Sequence, residues 1–280
     1  MGSSRLDAPH TAASGEGSRV VVWFSCGAAS AVAASLAVGD YGKERVEVVY
    51  CDVLADEHPD NARFLDDMQS RLGIFVRIVG SYLYDTVDEV FEQTRYMAGV
   101  SGARCTTEMK KLPRREFQRP DDIHIFGFTA DEQNRIATFE ANNPELHLDW
   151  ILLRHNFTKK DCYTFLEERD IKLPAMYELG YKNNNCLGCV KATSARYWNM
   201  VRRDFPDVFE ARAKRSRELG VRLTRYKGER VFLDELPEDY LPAEPLEDIS
   251  CGPDCSVDLP ETAAPTPITT ITTSSTASGA

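Results

Sequence analysis

The chain has 280 residues, 42% of them hydrophobic and 28% charged, with 33 Lys and Arg against 44 Asp and Glu and a net charge of −11. That length and composition exclude a collagenous chain, a wholly disordered one and a disulfide-stapled mini-protein, and suit one large domain or two small ones. The acidic total argues against indiscriminate nucleic-acid binding but leaves room for a local basic site.

No apolar run approaches the roughly 20 residues of a membrane span, and the first 18 residues lack a signal-peptide core. The expectation is a cytoplasmic protein that makes no use of a membrane. In that compartment the eight cysteines are metal-binding, redox-active or buried rather than paired in disulfides.

In chain order, residues 1–18 are small and polar and are expected to be disordered. Val20–Ser25 reads as a buried strand, followed by a glycine-containing loop and an alanine-rich helix from about Ala29. Val46–Cys51 is a second strand, with an acidic helix after it over Pro59–Leu72. Phe75–Val79 is a third, leading to a helix over Tyr84–Met97. Asp122–Phe128 and Asp149–Arg154 supply two more strands, and Thr158–Asp161 resembles a capping box that opens a further helix. Strands alternating with helices at this spacing predict a doubly wound, mostly parallel five-stranded sheet, with ligands at the carboxyl ends of its strands.

A nucleotide-binding α/β domain is therefore expected over residues 19–190, with a helical, basic C-terminal extension over 191–258. Residues 259–280 form a Thr/Ser/Pro/Ala tract expected to be disordered. Residues 191–230 carry 12 Lys and Arg against 5 Asp and Glu, a local charge of 12 − 5 = +7. Tyr197 and Trp198 lie among those arginines. The segment fits a phosphate or nucleic-acid site, and equally an amphipathic helix whose Trp198, Met200, Phe205 and Phe209 pack inwards.

The loop Ser25-Cys26-Gly27-Ala28-Ala29-Ser30 sits between a strand and a helix. Small residues there let backbone amides close around a phosphate, two hydroxyls add donors, and the helix dipole favours an anion. Tight packing alone explains the same composition. Asp52, directly after the second strand, is placed to meet a nucleoside or its Mg2+, or to cap a loop.

Cys186-Leu-Gly-Cys189 has the two-residue spacing with which two thiolates grip one metal or cluster, or form a redox pair. Cys105 and the late Cys251 and Cys255 are the further candidates. Cys51 and Cys162 read as small core residues. The histidines show no metal or general-base spacing.

Four stretches, in order over roughly residues 20–195, resemble the phosphoadenosine-phosphosulfate reductase family of the PP-loop, adenine nucleotide alpha hydrolase-like superfamily. Residues 25–30 are similar to the loop S-G-G-x-D-S, and Cys51–Pro59 resembles the D-T-G…P-E segment that meets adenosine. Gly127–Arg135 is similar to G-x-R-x-x-E-S…R, and Tyr177–Cys189 resembles Y-x-x-G-Y-x-S-x-G-C-x-x-C. The resemblance implies an adenine nucleotide, ATP or a sulfonucleotide, bound at Ser25, Cys26, Gly27, Ala28, Ala29 and Ser30, with Asp52, Asp131 and Glu132. It further implies Lys110, Arg135 and Cys251 at the reacting end.

In the iron–sulfur members a Cys-Cys pair precedes CxxC. Here Cys105 lies 186 − 105 = 81 residues before Cys186, and Thr106 replaces the second cysteine. A [4Fe–4S] cluster on Cys105, Cys186 and Cys189 is the implied metal centre, with its fourth iron open or capped by Cys251 or Cys255. Cys251-Gly252 keeps part of the reductases' reactive tail. Acidic Asp248 and Asp254 are expected to raise the Cys251 pKa. Lys110, Lys111, Arg114, Arg115 and Arg119 are expected to meet sulfate and phosphates.

The leading expectation is sulfonucleotide reduction with a thiol donor of the thioredoxin type. The alternative is ATP-dependent sulfur transfer to a nucleic acid or small molecule, fed by a cysteine desulfurase. From another class comes a non-catalytic nucleotide-binding module with structural zinc. A homodimer is compatible with each.

Overall fold

The computed structural model describes residues 17–99, 102–240, 242, 246, 249 and 251. At its centre is the doubly wound α/β arrangement. β1 (Val20–Phe24) runs through the middle with all its side chains buried, as a strand covered on both faces requires. β2 (Val46–Cys51) pairs parallel to it, Val20 opposite Val46, and β3 (Arg77–Val79) lies beyond. Ile123–Ile125 pairs parallel on the other side of β1, and His147–Leu148 lies outermost. The order β3–β2–β1–(123–125)–(147–148) reverses at β1. Doubly wound sheets bind their ligands at such a reversal, outside the carboxyl ends.

The pleat divides the strands between two cores. Val20, Val22 and Phe24 pack with Ala31, Val32 and Ala34 of α1 (Ala28–Tyr41) and Phe64 and Met68 of α2 (Asp60–Leu72). Val21 and Trp23 meet Val49, Phe126, Phe128 and Phe139 on the opposite face. There the Trp23 indole donates to His124 Nδ1 at 3.1 Å. Burial lowers the His124 pKa to about 4, so the ring is neutral and free to accept.

The structure departs from the sequence reading in five places, one being the strand read over Asp122–Phe128, which pairs only over Ile123–Ile125. Phe75–Val79 shortens to Arg77–Val79, an edge strand with Phe75 91% exposed. The helix read over Tyr84–Met97 contracts to α3 (Val87–Thr94), because Thr86 accepts the Glu89 amide and so starts it late. Asp149–Arg154 is not a strand: His147–Leu148 takes the sheet position, and Ile151–Arg154 forms a helical turn that buries Ile151 and Leu152. A short apolar run does not distinguish those outcomes. The helical reading of 191–230 holds for Ala195–Asp204 and Pro206–Leu219 and then gives way to a hairpin, Thr224–Tyr226 against Glu229–Val231. Lys227 and Gly228, at φ 49° and 89°, form its turn, the backbone hand that matches strand twist.

The Thr158–Asp161 capping box is present, with Asp161 N donating to Thr158 Oγ1 at 3.3 Å and Thr158 N to Asp161 Oδ2 at 2.9 Å. The end segments expected to be disordered lie outside the described residues, apart from Gly17 and Ser18. No helix among the described residues is long and apolar enough to cross a membrane.

One contact joins the sheet to the future site. A Cβ on Gly127 would lie 2.8 Å from the Ser30 backbone nitrogen and 3.1 Å from its Cα. Glycine lets the end of the 123–125 strand touch the first turn of α1. Gly127→Ala is expected to destabilise the fold by about 1–3 kcal/mol through this overpacking. The measurement is a lowered urea midpoint at unchanged slope.

Candidate functional site

The loop after β1 folds on its own hydroxyls. Ser30 Oγ donates to the Gly27 carbonyl at 2.9 Å and accepts the Ser25 amide at 3.1 Å. Cys26 takes φ 54°, the left-handed region that favours glycine, and its side chain is fully buried. Its thiol lies 3.9 Å from the Asn61 carbonyl, and burial raises its pKa far above the usual thiol range. Of the six loop residues, then, Cys26 turns inwards. The other five line an open cleft.

Three consecutive amides close the far side of that cleft. Asn183 Oδ1 accepts from Lys159 Nζ at 2.7 Å. Asn184 Nδ2 donates to the Cys26 carbonyl at 2.8 Å and to Asn61 Oδ1 at 2.7 Å. Asn185 Nδ2 holds the Ile249 carbonyl at 2.7 Å, two residues before Cys251. The Ala28 amide, at the start of α1, donates to the Tyr177 hydroxyl at 3.1 Å. Thr129, Asp131, Glu132, Arg135 and Cys251 complete the wall. Glu132 accepts from the Thr129 amide and hydroxyl, both at 2.9 Å, and pairs with Arg135, whose guanidinium lies 4.0 Å over the Phe128 ring.

Beside the loop, thiols gather around one lysine. Lys110 sits in a π-helical segment, Thr107–Lys111, and is buried. Its Nζ donates to the Cys251 carbonyl at 3.0 Å and lies 3.8 Å from the Cys251 sulfur. Thr106 Oγ1 is 3.8 Å from the same sulfur, and the Cys189 thiol hydrogen-bonds to it. The CxxC loop is held by its backbone: Leu187 N donates to Asp56 O and Cys189 N to Tyr197 Oη, each at 2.8 Å. Gly188 stands at φ 61°, with Arg212 Nε donating to its carbonyl at 3.3 Å.

A family model described as the phosphoadenosine phosphosulfate reductase domain matches residues 19–195, more than half of the chain and nearly all of this site. The chain belongs to the phosphoadenosine phosphosulfate reductase family. No curated protein matches it. Among solved structures, the phosphoadenylyl-sulfate reductase of Candida auris, crystallised as a phosphate complex, is similar at 11% sequence identity. That match covers 60% of this chain and 81% of that one, with a TM-score of 0.44.

The structure of this reductase-family chain sorts the expected site residues. Ser25, Gly27, Ala28, Ala29, Ser30, Asp131, Glu132, Arg135 and Cys251 share the cleft. Asp52 does not: it is exposed at the end of β2 and accepts the Leu54 amide at 3.3 Å. Lys111 and Arg114 are buried, Arg115 and Arg119 are exposed, and none of these four lines the cleft. The sequence reading gave no role to Lys159, Tyr177, Asn183–Asn185 or Glu57. Lys159 lay inside a capping box, where its neighbours already had a structural purpose.

The basic segment is neutralised in part by the acidic remainder. Arg212 pairs with Asp88 at 2.6 Å, Arg215 with Glu92 at 3.2 Å, and Arg217 with Asp234 at 2.9 Å. Tyr197, Trp198 and Phe209 are buried, so these rings form no stacking platform.

Electrostatics at Cys251 run opposite to the sequence expectation. The hydrogen bond from Cys189, followed by the Lys110 and Lys191 charges, takes its pKa well below the thiol range despite burial. Asp248 and Asp254 lie outside the described residues. Burial pushes Cys105 up to about 12 and raises Cys186, and the hydrogen bond to Cys251 raises Cys189. Burial works against charge on Lys110, but Cys251, Cys186 and Glu57 raise it well above its usual value.

Sulfur donors suit a soft metal or an iron–sulfur cluster. Among the described residues, however, no group of three or more Cys, His, Asp or Glu is arranged to hold a metal ion. The implied ligand set Cys105, Cys186 and Cys189 therefore does not fit the group as it stands, and neither do Asp52, Asp131 and Glu132 for Mg2+.

Two outcomes follow from the charges. Glu57 accepts from Tyr50 Oη at 2.7 Å and Asn61 Nδ2 at 2.6 Å, and burial lifts its pKa from 4.5 to about 7. A raised carboxyl contributes stability that is fully present below pH 4.5 and is lost as the pH rises through about 7. The loss is roughly 3 kcal/mol, and Glu57→Gln is expected to flatten it in denaturation midpoints compared between pH 5 and 8. Lys110→Met is expected to slow iodoacetamide alkylation of Cys251 at neutral pH roughly tenfold and to move its pH profile to the alkaline side.

Proposed function

We propose that this chain reduces a sulfonucleotide. The observation that carries the reading is that one cleft is lined both by the phosphate loop and by Cys251. Phosphates lie at Ser25 and Gly27–Ser30, where amides, hydroxyls and the start of α1 favour an anion. Arg135 and Lys159 supply positive charge along the wall, and the sulfate points to Cys251.

Lys110 and Cys189 hold the Cys251 sulfur as a thiolate, the form that attacks. A bond forms from Cys251 Sγ to the sulfate sulfur. The bond from that sulfur to the bridging phosphate oxygen breaks, and the nucleotide leaves with the electron pair. The sulfonate is left on Cys251, and a dithiol donor of the thioredoxin type supplies the two electrons that release sulfite.

A second reading keeps the phosphate loop and turns the chemistry to ATP-dependent sulfur transfer, but the [4Fe–4S] cluster it would use does not fit Cys105, Cys186 and Cys189 as they stand. The cleft and its nucleotide loop serve either reading.

Sulfite and nucleoside phosphate formed from a sulfonucleotide support reduction, whereas pyrophosphate released from ATP supports transfer. Stoichiometric iron and acid-labile sulfide after anaerobic purification would establish the cluster. Cys251→Ser is expected to lower sulfite formation roughly a thousandfold while calorimetric nucleotide affinity stays within about twofold. Full sulfite formation by that variant would sink the mechanism.

A further inference from the structure

The thiol nearest Cys251 in kind is Cys189, which the step above uses only as a hydrogen-bond partner that helps hold the thiolate. The two sulfurs are joined by a hydrogen bond, and Cys189 is buried and does not line the cleft, whereas Cys251 does. The Cys189 backbone is fixed by the Tyr197 hydroxyl, and the loop before it by Gly188 in the left-handed region. Cys251 comes from the other side on the segment that Asn185 holds through Ile249. One sulfur is anchored and shielded, and the other faces the substrate. A disulfide needs the two sulfurs to close to about 2.05 Å, and both come from segments that end in this one contact.

From this juxtaposition we infer that Cys189 is the resolving thiol, which displaces sulfite from Cys251 and leaves a Cys189–Cys251 disulfide. The inference rests on the reductase reading and deepens it. The sulfonated intermediate is Cys251 Sγ bonded to SO3. Cys189 Sγ attacks Cys251 Sγ, the bond between the two sulfurs of the adduct breaks, and sulfite leaves with that electron pair. The Cys189 proton passes to the departing sulfite. Two cysteine thiols lose two electrons, and the sulfur falls from the sulfate to the sulfite oxidation level. An external dithiol then reduces the disulfide by exchange. Such a donor meets a disulfide with Cys251 at the cleft, and never has to reach Cys189.

A single turnover without any external thiol tests this. Reduced full-length protein is freed of reductant, mixed with excess sulfonucleotide, quenched in acid and mapped by non-reducing mass spectrometry, with sulfite assayed in parallel. The expected result is about one sulfite per chain and a Cys189–Cys251 disulfide. In Cys189→Ser the same experiment is expected to leave SO3 on Cys251 and to cut donor-free sulfite roughly tenfold or more.

Thermal melting of that variant checks its folding, and the wild-type result decides the matter without it. Wild-type protein that stops with SO3 on Cys251 overturns the inference and leaves the reductase reading standing. A disulfide from Cys251 to Cys255, or bound iron on Cys189, also overturns it. Neither adduct nor sulfite, even with a dithiol donor added, overturns both.

Discussion

The arrangement around the site depends on one buried ammonium group. An unpaired ammonium in a protein interior costs several kcal/mol, so Lys110 needs anionic or strongly polar partners on every side. It has the Cys251 carbonyl and sulfur within 4 Å, and Glu57 and Cys186 raise its pKa. The π-helical segment over Thr107–Lys111 is what carries that side chain into the interior, in a helix flanked by the buried Arg104–Glu108 pair at 2.5 Å. Glu57 in turn is fixed by Tyr50 and Asn61, and Asn61 by Asn184. A line of polar contacts thus runs from the end of β2 through α2 to the phosphate loop.

That line explains why a loop with Cys26 in place of the first glycine of S-G-G-x-D-S, and Ala29 in place of its aspartate, still holds its shape. Cys26 occupies a left-handed position at a cost of roughly 1–2 kcal/mol. Its carbonyl is held by Asn184, and its side chain fills the core beside α2. The loop is shaped less by its own glycines than by neighbours distant in sequence.

Much of the fold was legible in the sequence because β1 and β2 are rich in valine and aromatic residues, a pattern with few alternatives in a chain where such runs alternate with helices. The shorter apolar runs were not. Ile151–Arg154 has the composition of a strand, yet the sheet had already taken His147–Leu148. At the site, the phosphate loop and the CxxC were readable from spacing. The position of Asp52 was not, since a residue one place beyond a strand can face solvent as easily as the cleft. Nor could local sequence show that Cys251, 62 residues after Cys189, returns to it. The charge split was read correctly as a number, but the ion pairs of Arg212, Arg215 and Arg217 reveal that much of the basic segment is tied to acidic partners within the fold.

Asn183, Asn184 and Asn185 each grip a different part of the molecule: the helix that begins at Lys159, the phosphate loop, and the chain leading to Cys251. Because successive side chains are committed to three separate directions, the stretch is constrained in length as tightly as in composition. Inserting or deleting a single residue there would shift every grip by one place and uncouple all three parts together. Evolution can exchange side chains at the rim of this cleft one by one, but it can alter the spacing between Tyr181 and Cys186 only by rebuilding the whole wall.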